Sequence, residues 1–313
     1  MIISASRRTD IPACYMDWFL NRLREKFVLV RNPMNAHQLS RVSLSPDVVD
    51  GIVFWTKNPL PLLEHMQELE RYPYYIQFTL TAYDRDVEPG LPSKNRVLIP
   101  AFQELARRLG KERVVWRYDP IFLSDRYTMD YHCRCFQILA RRLGRYTERC
   151  IVSFLDLYRN TERQLRPLGM RLLNAAEQWR LLQDFSEIAK AQGFSLNICS
   201  EAGDFAPLGV GPSHCVDKAL LERIGGCELR LGKDSGQRPA CGCFASIDIG
   251  TYQTCRNGCL YCYANESESR VMRTLRTYDP ASPLLCGTVG PQDVVRERKA
   301  VSCRENQLRL FWN

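Results

Sequence analysis

The chain is organised around three cysteines in eight residues, Cys255-x-x-x-Cys259-x-x-Cys262. Thiolates this close in sequence can wrap one compact inorganic centre, and iron–sulfur clusters are held in this way. A four-iron cube takes four protein thiolates when fully ligated, so a set of three leaves one iron open. An open position on a metal can take a small chelating molecule, as the free position of a catalytic zinc does. Gly258 suits such a loop because glycine reaches positive φ without strain. Zinc is the rival occupant; structural zinc takes four tetrahedral ligands, and Cys241 or Cys243 could complete that set.

Cys241-Gly-Cys243 is a second constellation, since two thiolates one residue apart commonly bind metal. Cys199 and Cys215 could join them as four ligands of an auxiliary iron–sulfur cluster; the alternative is a group of buried thiols supporting the first site. Cys14, Cys133, Cys135, Cys150, Cys227, Cys286 and Cys303 read as core or surface thiols. The four histidines form no ligand spacing. No phosphate-cradling glycine loop, dinucleotide fingerprint or hydrolase elbow appears.

CxxxCxxC with Tyr261 before its last cysteine resembles the signature of the radical S-adenosylmethionine superfamily. The resemblance implies a [4Fe-4S] cluster on Cys255, Cys259 and Cys262, with S-adenosylmethionine chelating the open iron. It implies reductive cleavage of the sulfonium to a 5′-deoxyadenosyl radical, which abstracts hydrogen from a substrate. It also implies a small electron donor protein of the flavodoxin or ferredoxin type. Over nearly its full length the chain resembles an uncharacterised bacterial family, a domain of unknown function with this cysteine motif near its C-terminus. Ser6–Pro12 (SRRTDIP), Phe54–Pro59 (FWTKNP), Trp116–Pro120 (WRYDP) and Ser246–Tyr252 (SIDIGTY) carry that resemblance. The Cys-Tyr-Ala ending of the loop is also similar to the spore photoproduct lyase branch. Under this resemblance the backbone around Tyr261 faces the adenine. Arg7, Arg8, Lys57 and Arg117 are candidates to hold the methionyl carboxylate or an anionic substrate. Asp10, Asp119 and Glu201 are candidates for the ribose, the amino group or the substrate; for each, a structural ion pair is the alternative.

These groups need a scaffold. Met1–Ala5, Phe27–Val30, Gly51–Trp55, Tyr74–Leu80, Val114–Arg117, Cys150–Leu155 and Phe194–Cys199 read as strands. Between most of them lie stretches with helical apolar spacing: Tyr15–Lys26, Leu60–Glu70, Val97–Leu109, Asp130–Leu143 and Asn174–Gln192. The alternation predicts βα units and a parallel sheet, and Gly110, Gly144 and Gly193 stand where helices should stop. Six of the apolar runs end in polar residues: Ser4–Asp10, Thr56–Asn58, Thr79–Thr81, Arg117–Asp119, Ser153–Asp156 and Asn197–Glu201. In a β/α barrel the functional face lies at the C-terminal strand ends, so the six ends read as one lined rim. The expected fold is a partial or closed β/α barrel over residues 1–264, with the cluster loop in 241–264 and a wrapping tail in 265–313. Ser246–Tyr252 reads as a last strand running into the cysteines. In the superfamily the cluster loop follows the first strand, so the order here looks permuted. First and last strands can be neighbours in a barrel, which keeps the loop in the same place. Ala202–Arg238 breaks the rhythm, with one short helix expected near Asp217–Ile224.

The chain of 313 residues can bury a large core. No apolar run is long enough for a membrane span, and the first residues do not read as a signal peptide, so a cytoplasmic protein is expected. In a reducing compartment, 14 cysteines point to metal ligands or buried thiols before disulfides. The formal charge of +8 suits a solvated basic surface and leaves room for a nucleic-acid partner. Two readings therefore stand beside the radical enzyme: a zinc- or iron–sulfur-stabilised nucleic-acid-binding protein, and a lyase-like enzyme of nucleic-acid lesions.

Overall fold

The computed structural model describes residues 1–201, 203–238 and 240–305. β1 (Ile2–Ala5) leads through α1 (Ile11–Cys14) and α2 (Met16–Glu25) to β2 (Phe27–Asn32) and β3 (Asn35–Ser43). Next come β4 (Gly51–Thr56), α3 (Leu60–Glu64), β5 (Tyr74–Thr79), α4 (Ile99–Leu109) and β6 (Val114–Ile121). They are followed by α5 (Met129–Leu143), β7 (Arg149–Phe154), α6 (Arg159–Leu165), α7 (Ala175–Gln192) and β8 (Ser195–Ile198). The rest comprises β9 (Gly211–Pro212), α8 (Lys218–Gly225), β10 (Ile247–Asp248), α9 (Glu268–Leu275) and β11 (Val294–Glu297).

Eight strands form one parallel sheet in the order β10-β1-β4-β5-β6-β7-β8-β9. The fold is α/β, as the alternation predicts. Among the described residues, β9 and β10 are opposite edges of this sheet. The last strand does lie beside the first: Ile3 pairs with Ile247 and Ser4 with Asp248. Only two residues of the expected Ser246–Tyr252 strand are in the ladder.

Phe27–Val30 does not belong to this series. It starts β2, which pairs antiparallel with β3 in a separate three-stranded sheet completed by parallel β11. The cause is the connection: only Pro33 and Met34 separate β2 from β3, and a link that short joins antiparallel neighbours only. Gly110 and Gly193 end α4 and α7 at φ of 94° and 76°. Gly144 instead continues into a 3₁₀ turn at φ −54°. Its small size matters there for another reason, since a Cβ would stand 3.0 Å from the Gln192 carbonyl oxygen and 3.2 Å from the Phe194 ring.

Alternation along the strands divides the sheet into two faces. Ile3, Ile52, Phe54, Ile76, Phe78, Trp116 and Val152 pack under the helices in the main core. Phe136 of α5 stacks between Trp116 and Phe185 of α7, with ring centroids at 4.9 and 3.8 Å. Ile2, Val53, Tyr75, Val115 and Ile151 line the other face, covered by α8 and by Cys215, Val216, Cys241 and Cys243. Stepping two residues at a time from these towards the C-terminal strand ends leads to Ser4, Trp55, Gln77, Arg117 and Ser153.

Candidate functional site

The C-terminal strand ends open into one cavity of about 580 Å³. Residues from six parallel strands or their ends line it, among them Ser6, Lys57, Thr79, Arg117, Ser153 and Asp248. Cys255, Cys259 and Cys262 line it too, and so do Cys199, Cys215, Cys241 and Cys243. The two cysteine sets thus share one chamber. Of the other candidates, Arg7, Arg8, Lys57, Arg117, Asp119 and Tyr261 line the chamber, whereas Glu201 is not among the lining residues. The Glu201 carboxylate instead accepts the Phe154 N–H at 2.9 Å, and burial pushes its pKa up to about 7.

The three-cysteine loop has almost no regular structure, so side chains and neighbouring loops hold its backbone. Asn265 Nδ2 donates to the Cys255 carbonyl (2.7 Å), and Asn160 Nδ2 donates to those of Cys262 (3.2 Å) and Asn265 (3.1 Å). The Leu260 N–H donates to Val87 O (3.0 Å), and the Gly90 N–H to Asn257 O (3.1 Å). Gly258 sits at φ 66°, in the left-handed region expected of it. Asp10 fastens the loop to the sheet: one oxygen accepts the Ala13 N–H at the start of α1 (3.0 Å). The other accepts the Lys57 N–H (2.8 Å) and Asn257 Nδ2 (2.9 Å). Both oxygens of Asp10 are engaged by the scaffold, so it acts as a strut for the loop while also lining the chamber.

Glu88, which carried no signal in the sequence, is the second fastening. It is buried and accepts from Lys57 Nζ (2.9 Å), Thr81 Oγ1 (2.9 Å), Lys94 Nζ (2.5 Å) and the Tyr261 hydroxyl. Burial works to raise its carboxyl, but Lys57 and Lys94 outweigh burial and hold it at about 2. Lys57 also donates to the Tyr261 hydroxyl at 2.6 Å. Lys57 and the Tyr261 side chain are therefore tied up in a buried ion-pair network behind the loop, the structural alternative raised for such residues. Burial pushes the Cys259 thiol up to about 12 despite nearby Lys57. Cys14, at the end of α1, is hydrogen-bonded through its thiol to Cys255.

The remaining cations differ in how far they are satisfied. Arg117 donates to Asp119 Oδ2 through Nη2 (2.6 Å) and Nε (3.2 Å), and Ser153 donates to the other oxygen of Asp119. Arg7 and Arg117 both pack on the Trp55 ring, at 5.1 and 5.4 Å from its centroid. Arg8 lies over Tyr252 and reaches the Gly250 carbonyl at 3.4 Å. Arg7 Nη2, Thr9 Oγ1 and Ser200 Oγ line the chamber buried and without a hydrogen-bond partner. Buried polar atoms are nearly always paired with protein or ordered water, so these three are available to a polar group entering the chamber. Asp248, inside the SIDIGTY stretch but given no role from sequence, joins β10 to β1. It accepts from Ser6 Oγ (2.6 Å), Ser4 Oγ (3.1 Å) and the Arg7 N–H (2.8 Å).

Among the described residues, no three or more His, Cys, Asp or Glu side chains are placed to hold a single metal ion as they stand. Each thiolate of a four-iron cube binds its own iron, so ligands of a cube need not converge on one point. Also among the described residues, no helix is long and apolar enough to cross a membrane.

No curated protein and no solved structure matches the chain. One family model matches residues 2–264, from β1 to the residue that closes the cysteine loop. With nearly the whole described α/β unit inside that match, the chain belongs to the family described as Domain of unknown function (DUF1848).

Proposed function

We propose that this protein is a radical S-adenosylmethionine enzyme built on a partial β/α barrel. One observation carries the reading: the thiols of Cys255, Cys259 and Cys262 share a chamber at the C-terminal strand ends with the unpaired polar atoms of Arg7, Thr9 and Ser200. Three thiolates and one open coordination position suit a four-iron cluster that chelates a small molecule. The unpaired donors suit the polar groups of an amino-acid ligand, and about 580 Å³ is within the ordinary range of small-molecule sites. When bound and reduced, the cluster supplies the electron that cleaves S-adenosylmethionine to a 5′-deoxyadenosyl radical.

The chain's own contribution is position and exclusion of water. Arg7, with a free N–H and a ring contact to Trp55, is the residue suited to the methionyl carboxylate. Arg8, over the Tyr252 ring, is the second cation. Arg117 and Asp119 neutralise each other in the wall and can orient a substrate through their remaining hydrogen-bonding capacity. Asp10 and Glu88 tie the loop down through the side chains of Asn257 and Tyr261. An electron donor protein of the flavodoxin or ferredoxin type belongs to this reading.

The test is cleavage of S-adenosylmethionine by anaerobically reconstituted, reduced protein. Wild type should form 5′-deoxyadenosine. Cys259→Ala should form none while keeping its far-ultraviolet circular dichroism. Equal cleavage by the variant would remove Cys259 from the ligand set. Salt-dependent nucleic-acid binding by a wild type that forms no 5′-deoxyadenosine would replace the enzyme with a metal-stabilised binding protein.

A further inference from the structure

The chamber carries a second group of thiols, assembled from three separate segments. Cys199 follows β8, Cys215 follows β9, and Cys241 and Cys243 lie on the stretch before β10. The sulfurs of Cys199 and Cys215 are 3.2 Å apart. Cys215 also interacts with Cys243, and Cys243 with Cys241. The four thiols therefore stand in a row of interacting neighbours that lines the chamber.

The backbone under them is held at each cysteine. The Cys215 carbonyl accepts both Tyr75 OH (2.6 Å) and Gln77 Nε2 (2.9 Å) from the sheet. The Cys199 N–H donates to Val152 O, the Cys241 N–H to Arg238 O, and Cys243 O accepts the Asp234 N–H, each at 2.9 Å. Gly242 is required between its two cysteines. A Cβ there would stand 2.4 Å from His214 Nδ1, whose ring is hydrogen-bonded to the Gly242 carbonyl at 2.6 Å. Two cations accompany the sulfurs: Arg117 Nη1 donates to Cys215 Sγ at 2.9 Å, and Arg7 lines the same chamber.

Four soft donors on fixed backbone, with permanent positive charge beside them, have the chemistry of a thiolate metal centre. As they stand the sulfurs run in a row and do not surround one ion. Closing the row on a metal calls for rotation about χ1, which moves a cysteine sulfur between staggered wells without moving the backbone. We propose that Cys199, Cys215, Cys241 and Cys243 form a second, all-thiolate centre for a soft metal, either an iron–sulfur cluster or a zinc ion. Four protein thiolates leave no open position, so this centre braces the chamber wall or passes electrons and does not chelate the substrate. It stands independently of the radical-enzyme reading.

The experiment uses the full chain with Cys255, Cys259 and Cys262 all changed to Ala. One sample is reconstituted anaerobically with iron and sulfide, another is loaded with zinc alone, and both are desalted. Metal and sulfide per chain are then measured. The proposal expects one metal centre retained in one of the two samples, identifying iron–sulfur or zinc. Adding Cys199→Ser or Cys241→Ser should abolish it, and adding Cys227→Ser, a neighbouring thiol outside the row, should not. No retained metal in either sample overturns the proposal, as does full retention after Cys199→Ser and Cys241→Ser together. If the added substitutions prevent folding, thiol labelling decides. Four cysteines should be protected in the loaded triple variant and become reactive after chelation; equal labelling before and after chelation rejects the centre. Failure of the first site would show separately, as wild type and triple variant with equal metal content.

Discussion

At the scale of single residues, the proposed chemistry turns on whether the cysteine loop leaves one iron open. Cys14 is hydrogen-bonded to Cys255, so a fourth thiol lies within reach of the three-cysteine loop. Were Cys14 a ligand, the cube would be fully ligated and no iron would accept S-adenosylmethionine. It does not line the chamber, and its backbone is held at the end of α1, where the Arg256 side chain donates through Nη2 to its carbonyl at 2.9 Å. We therefore expect Cys14→Ala to keep the wild-type iron content and the wild-type yield of 5′-deoxyadenosine. Loss of about a quarter or more of the iron, measured by colorimetric assay, would make it a ligand. Nothing in the spacing of Cys14 to the loop marks it, because 240 residues of folded chain bring the two together. Glu88 and Asn257 were hidden for the same reason. An isolated Glu in a polar loop reads as solvated until two lysines and a tyrosine are seen to converge on it.

At the scale of elements, the site depends on a loop braced by another loop. The segment carrying Val87 and Gly90 lies against the backbone of the cysteine turn. A Cβ on Gly90 would stand 2.7 Å from the Asn257 carbonyl oxygen and 2.8 Å from that of Arg256. These are backbone atoms and cannot swing aside as a flexible side chain would. Gly90→Ala should therefore displace the cysteine turn at a cost of about 1–3 kcal/mol, the usual range for overpacking. The expected result is a drop in reconstituted iron with the circular dichroism of the helices unchanged; unaltered iron content would show that the turn tolerates the shift. The strands are the opposite case. Period-two alternation makes the positions of Trp55, Arg117 and Ser153 on one face readable directly from sequence. Their polar ends, taken in series, pointed to the rim that the tertiary structure presents. Phe27–Val30 looked equally strand-like, and only the two-residue link to β3 set it apart.

At the scale of the whole molecule, the buried charges couple folding to pH. The Glu88 carboxyl sits below its ordinary 4.5, at about 2. The folded state thus favours the ionised form, and the resulting stability is complete above 4.5 and lost as pH falls from there towards 2. Glu201 has the opposite sign. Its pKa of about 7 means a contribution complete below 4.5 and lost as pH rises through 7. Melting temperature against pH should show both effects. Glu201→Gln should flatten the curve between 4.5 and 7. Glu88→Gln should flatten the acid limb between 4.5 and 2. At neutral pH it should also cost about 3–5 kcal/mol, because Lys57 and Lys94 lose their buried counter-charge. An unchanged acid limb in the Glu88 variant would assign that limb to other carboxylates.

By itself, the sequence determined the local rules: where strands and helices run, which residues alternate onto one face, and which three cysteines share a turn. These follow from periodicity, glycine conformation and spacing, all of which act within a few residues. Only the tertiary structure decided what meets across the chain. It set β10 beside β1, which carries the C-terminal cysteine loop to the start of the sheet. It brought Cys199 and Cys215 against Cys243, and it left Arg7 with a buried, unpaired N–H in the chamber. Those meetings rest on long-range packing and on the closure of large loops, for which no short stretch of sequence carries a signature.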